Sequence, residues 1–231
     1  MQRLKIIALL MEYPNEELWE AADELRAAVA QEAPRLTPFA EQFFAAPLID
    51  KQAEWCELFD RGRATSLLLF EHVHAESRDR GQAMVDLMAQ YEKAGLQLDS
   101  RELPDWLPLY LEYLSIQPEQ DACQGLNDVA PILALLGGRL KQRQSPYSQL
   151  FDALLAIAGS QYRSDSVVSQ VTQEARDDTP QALDAIWEEE QVKFIDDQGC
   201  STDASPLQQH QRRFSDNVTP QYLDISAGGP K

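Results

Sequence analysis

Apolar residues along this chain recur three and four positions apart, and the interruptions fall at proline, glycine and capping residues. That spacing belongs to amphipathic helices. No stretch alternates apolar and polar residues over a strand's length between turn pairs. The chain is therefore expected to be all-α, a helical bundle. Its 231 residues, 44% hydrophobic, suffice for one large core or two small ones.

Residues 4–11 predict a short buried helix that stops before Pro14. Asn15 is placed to cap the next, with Glu16 and Glu17 where carboxylates favour the helix dipole. Leu18, Ala22, Leu25 and Val29 form its apolar stripe, and Pro34 ends it at the latest. Thr37-Pro38 reads as a cap followed by proline at the first helical position, opening a helix over 38–46, with another over 49–59. Gly95 is a C-terminal stop. Asp105 reads as a cap, with Pro108 in the first turn beyond it. In that helix Leu107, Tyr110, Leu111 and Leu114 share one face, and Trp106, Leu109 and Tyr113 another. It is either central or lends a face to a partner. Leu126, Val129, Leu133, Leu136 and Leu140 continue a stripe that Pro131 must kink or restart. Ser145-Pro146 opens a helix facing inward through Leu150, Phe151, Leu154, Leu155 and Ala158, ended by Gly159. Thr179-Pro180 opens a last clear one, with Leu183, Ile186 and Trp187. Residues 174–203 carry ten acidic and two basic side chains, net −8. From residue 199 the polar, Gly- and Pro-containing sequence predicts a poorly ordered tail. One domain is expected over 1–198, with the tail over 199–231.

The segment 60–91 departs from this rhythm. Asp60-Arg61-Gly62-Arg63 is charged, and Leu67-Leu68-Leu69-Phe70 is an apolar run too short for its own helix. From Ser77 the pattern turns helical, through Met84, Leu87, Met88 and Tyr91. A connection this rich in apolar and charged residues is more than a spacer. Burying the backbone of the apolar run requires hydrogen-bond partners, which the flanking charged residues are expected to supply. Arg61, Arg63, Arg78 and Arg80 lie near Asp60, Glu71, Glu76 and Asp79. They form either an ion-pair network ordering the loop or a recognition edge beside an apolar groove.

The net charge of −18 disfavours nucleic acid and suits a basic partner. Cys56, Cys123 and Cys200 lie far apart, outside any C-x-x-C, as in a reducing compartment. The apolar run 6–11 is short for a signal peptide, and no run approaches a membrane span. A cytoplasmic protein without membrane insertion is expected. His72 and His74, with Glu71 or Glu76, offer metal-ligand chemistry, but two polar loop residues are the simpler reading. Ser66 and His72 have nothing to fix a nucleophile–base geometry. No G-x-S-x-G, Walker A or G-x-G-x-x-G is present. No enzymatic activity, cofactor or metal is expected.

Five segments carry a resemblance. They are Glu54-Trp-Cys-Glu-Leu-Phe-Asp-Arg-Gly-Arg63, Ser66-Leu-Leu-Leu-Phe-Glu-His-Val-His74, Glu76-Ser-Arg-Asp-Arg-Gly-Gln-Ala-Met84, Glu102-Leu-Pro-Asp-Trp-Leu107 and Glu174-Ala-Arg-Asp-Asp-Thr-Pro-Gln-Ala-Leu-Asp-Ala-Ile-Trp-Glu-Glu-Glu-Gln-Val-Lys-Phe194. Together they resemble the delta-subunit family of respiratory nitrate reductases, the molybdenum cofactor assembly chaperones. The opening and closing residues look more like the branch paired with the second isoenzyme. The resemblance implies an all-helical chaperone of the molybdoenzyme maturation type. Such a protein binds the N-terminal segment of the reductase alpha subunit. It holds the alpha–beta complex off the membrane until the cofactors are inserted, and is absent from the finished enzyme. The wider group carries Glu-x-x-Asp-His between helices. Glu102 and Asp105 fit, but Trp106 replaces the histidine, so no role of that histidine carries over. The client-binding residues expected are Arg61, Arg63, Leu67, Leu68, Phe70, Glu71, His72, His74, Glu102, Asp105, Trp106, Tyr110 and Tyr113. A basic amphipathic client helix in an apolar groove with an acidic rim fits both charge and pattern. A direct carrier of metal or molybdenum cofactor, using His72 and His74, is the alternative.

Overall fold

A computed structural model describes residues 1–73, 78–98 and 102–185. Among these the regular structure is helical, with one isolated bridge between Leu68 and Trp106 and no strand. No helix of the described residues is long and apolar enough to cross a membrane. The chain divides into a unit spanning residues 1–183 and a second spanning 184–231. The expected tail, and Ile186 and Trp187 before it, lie outside the described residues.

Helix α1 (Gln2–Met11) is the centre of this unit. Leu4, Ile6, Ile7, Ala8, Leu10 and Met11 are all buried, so no single stripe describes it. It packs against α3 (Ala22–Glu32), α7 (Leu107–Ser115) and α10 (Ser148–Ile157). The Asn15 side chain accepts the Leu18 N–H at 2.8 Å and so caps α2 (Glu16–Glu20). The stripe Leu18, Ala22, Leu25, Val29 is buried as the spacing predicts. The helix is broken at Ala21 into α2 and α3.

Beyond Glu32 a 3-10 turn (Pro34–Leu36) leads into α4 (Thr37–Ala45). Thr37 is therefore already helical, and its side chain caps nothing. Helix α5 (Leu48–Trp55) continues without a break as a π-helix over Cys56–Asp60, where Arg61 N–H reaches the Cys56 carbonyl at 3.2 Å, so helical backbone extends through the expected residue 59. Phe39, Phe43, Phe59 and Tyr147 bring these elements together edge to face, with centroids 5.2–6.2 Å apart.

Helix α6 (Arg78–Lys93) stops at Gly95, whose φ of +79° allows the Leu96 N–H to reach back to the Tyr91 carbonyl at 3.0 Å. Of its expected stripe Leu87 and Tyr91 are buried, Met84 is half-buried and Met88 is exposed. Helices α8 (Glu119–Asp128) and α9 (Ala130–Gln142) are separate, so Pro131 restarts rather than kinks. Helix α9 packs on α10 and on α11 (Ser164–Val171), which the apolar pattern did not predict. The last helix opens at Pro180, where Thr179 Oγ1 accepts the Ala182 N–H at 3.2 Å.

Candidate functional site

The apolar run after Gly62 meets the segment before α7. Leu107 N–H donates to the Leu67 carbonyl at 2.9 Å, and Leu69 N–H to the Asp105 carbonyl at 3.0 Å. The Asp105 carboxylate accepts the Phe70 N–H at 3.0 Å. Asp105 is thus not the cap of α7; its side chain is spent across the chain on another loop. His72 donates Nε2–H to the Ser66 carbonyl at 2.8 Å, closing the turn on itself. Burial holds the His72 pKa below the usual histidine range, so the ring is neutral at pH 7. The backbone need of this run is met largely by the facing strand-like segment, Asp105 and His72 rather than by the flanking arginines.

Side chains along the run divide. Leu67 and Leu69 are core, whereas Leu68 and Phe70 are half-buried. Asp105 is fully buried and one of its oxygens has no hydrogen-bond partner. Burial raises its pKa, against the opposing Phe70 N–H and the Arg80 charge. The folded state therefore holds this proton more tightly than the unfolded chain, and stability falls as pH rises through the folded pKa. Asp105→Asn keeps an acceptor for Phe70 and cannot ionise. Its stability relative to the parent should grow between pH 4 and pH 7, measured by urea unfolding; a pH-independent difference would contradict the assignment.

A groove of about 570 Å³ runs beside this junction. Leu9 of α1, Leu18 of α2 and Leu25 and Ala28 of α3 supply apolar lining, with Ala21 at the helix break. Glu12, Glu17, Glu24 and Glu112 rim it, and no lysine or arginine lines it. Trp106 lies where α1 meets α7: its Nε1–H points to Glu12 Oε1 at 3.4 Å and its ring sits 6.2 Å from that of Trp55. Burial raises the Glu12 pKa, the Trp106 N–H opposes this, and Glu102 and Glu112 add to the rise. Glu12, beside Trp106, therefore lies in the field of two further carboxylates. Half-buried Leu109 and Tyr113 extend the apolar surface along α7.

The expected client residues fall into several places. Leu68, Phe70, Glu71, His72, Glu102, Asp105 and Trp106 gather at the junction, where Arg80 and Glu71 approach to 3.9 Å. Leu67 and Tyr110 are core, and Tyr110 donates its hydroxyl to the Gly125 carbonyl at 3.1 Å. Tyr113 packs on Tyr91 with centroids 4.9 Å apart. Arg61 and Arg63 are exposed, Arg61 near Glu57 at 3.8 Å. His74 lies outside the described residues. Among the described residues no three His, Cys, Asp or Glu converge on a metal position. The groove residues on α1 to α3 were not anticipated, because Leu18 and Leu25 read as core. A signal was present: Glu17/Glu24, Leu18/Leu25 and Ala21/Ala28 each repeat at seven residues, setting acid, leucine and alanine side by side.

Comparison with known proteins agrees with the motifs. The sequence pattern of the nitrate reductase delta subunit matches residues 22–153. The chain is 69% identical, over all of both sequences, to the probable nitrate reductase molybdenum cofactor assembly chaperone NarW of Escherichia coli (strain K12). It is 57% identical, over 99% of each, to the nitrate reductase molybdenum cofactor assembly chaperone NarJ of the same strain. A more distant relative, the probable chaperone NarJ of Bacillus subtilis (strain 168), is 29% identical over 65% of this chain and 84% of its own.

Proposed function

Because the chain belongs to the nitrate reductase delta-subunit family, we propose that it is a nitrate reductase assembly chaperone whose client is the N-terminal segment of the alpha subunit. It is not an enzyme. Its work is to hold the alpha–beta complex in the cytoplasm while molybdenum cofactor is inserted, and then to leave. The observation that carries the reading of the client site is the groove between α1, α2–α3 and α7, with apolar lining and a rim of four carboxylates. A client helix with one apolar face and basic flanks satisfies both parts. Trp106 links the groove's rim, through Glu12, to the junction with Leu68.

Titration calorimetry with the alpha subunit's N-terminal peptide tests this. Ala28→Trp fills the groove with apolar bulk and should weaken binding at least tenfold, about 1.4 kcal/mol, while circular dichroism stays that of the parent. Glu17→Lys with Glu24→Lys changes only exposed rim charges. That pair should slow association and flatten the salt dependence without abolishing binding. Full affinity in Ala28→Trp would remove the groove from the site.

A further inference from the structure

The turn that leads into Leu67 is held by a carboxylate supplied from more than a hundred residues downstream. Asp177 Oδ2 accepts the N–H groups of Arg63 and Ala64 at 2.6 and 2.7 Å, and its Oδ1 accepts from Arg143 Nη2 at 3.1 Å. Gly62, with φ of +79°, lets successive backbone N–H groups point at one anion; a Cβ there would lie 2.5 Å from the Asp177 carboxyl carbon. The opposite side of the turn is held too. Arg139 donates to the Ala64 carbonyl and to Glu174, both at 2.8 Å. Arg143, its side chain 5% exposed, also donates to Thr65 Oγ1 at 2.7 Å. Thr65 in turn donates to the Leu58 carbonyl.

Two backbone donors and an arginine aimed at one point make an anion site. On a chain of net charge −18, its occupant is the chain's own carboxylate. Ser66 follows this turn, and then Leu67 and Leu69 are hydrogen-bonded to Leu107 and Asp105, which pairs Leu68 with Trp106. We propose that residues 174–178 form a carboxylate latch, seated in an anion site on the turn 62–65, and that latching pre-organises the client site through the Leu68–Trp106 junction. This inference rests on the client reading above. An open latch leaves the turn, and the run it positions, to be ordered when the client binds, and that ordering cost appears as lost affinity. The two N–H groups and the guanidinium address both oxygens of a carboxylate, so a free carboxylate can stand in for Asp177.

The test uses full-length Asp177→Gly, with sodium acetate as the probe and sodium chloride of equal ionic strength as the control. Hydrogen exchange at the Arg63 and Ala64 amides should quicken at least tenfold, and affinity for the alpha-subunit peptide should fall about tenfold. Acetate should restore both, and chloride neither, a recovery that general destabilisation would not show. The inference is overturned if Asp177→Gly matches the parent in both measurements, or if acetate reverses neither loss. Should the parent itself fail to bind the peptide, the client reading falls, while the exchange measurement still decides whether the anion site exists.

Discussion

Gly137→Leu is expected to detach α11 from α9 and lower the melting temperature by about 6–12 °C, taking an overpacking cost of about 3 kcal/mol in a chain of this size. A Cβ at Gly137 would meet Ser164 and come within 3.1 Å of the Phe151 Cβ; one at Gly138 would lie 2.6 Å from Val167 Cγ2. Glycine in a helix interior costs about 0.5–1 kcal/mol against alanine. Two in succession are retained here because α11 lies on their bare backbone. The variant should lose helical signal equivalent to α11, read by circular dichroism. It should also speed exchange at Arg63 and Ala64, because α11 leads directly into residues 174–178. A melt superimposable on the parent's would show that the helices can separate without penalty.

Arg143→Met should cost about 3 kcal/mol, near the lower end for removing one partner of a buried ion pair. The lower end applies because both aspartates keep other donors. Asp177 retains the two backbone N–H groups, and Asp178 retains Arg176 at 2.6 Å. The hydrogen bond from Arg176, ahead of the charge of Arg143, holds the Asp178 pKa below the usual carboxylate range. This contribution is present above the unfolded pKa of aspartate and is lost as pH falls through the lower folded value. The deficit of Arg143→Met, measured by urea unfolding, should therefore shrink on acidification. Pairing it with Asp178→Asn should cost less than the sum of the two single changes. Strict additivity would show that the pair does not interact.

Features set by a few neighbouring residues were legible in the sequence. Asn15 caps within three residues, Pro131 restarts a helix at its own position, and Gly95 ends one, each through local backbone chemistry. The five motif segments, read together, identified the family. Asp105 illustrates the limit. Its sequence neighbourhood favours a cap for α7, yet its oxygen is taken by an N–H 35 residues away. Long-range competition of this kind leaves no local pattern. The same holds for Leu67 to Phe70, whose alternation of buried and half-buried side chains depends on pairing with the Asp105 segment. Helix α11 was missed because Ser164, Asp165, Ser166 and Ser169 make it polar, and its short stripe, Val167 and Val171, seats on the bare backbone of Gly138 in its partner. The groove was hidden because its surface is shared among α1, α2–α3 and α7.

The contact between Asp177 and the Arg63 turn joins positions 114 residues apart. During synthesis at about 5–20 residues per second, the turn therefore waits about 6–23 s for its carboxylate after leaving the ribosome. Helices α2 to α4 can pack in that interval, since their contacts with one another are close in sequence. The junction beside the groove cannot reach its final form until nearly the whole first unit has emerged. If the proposed latch organises the client site, a nascent chain acquires that site late, near the end of translation of this unit.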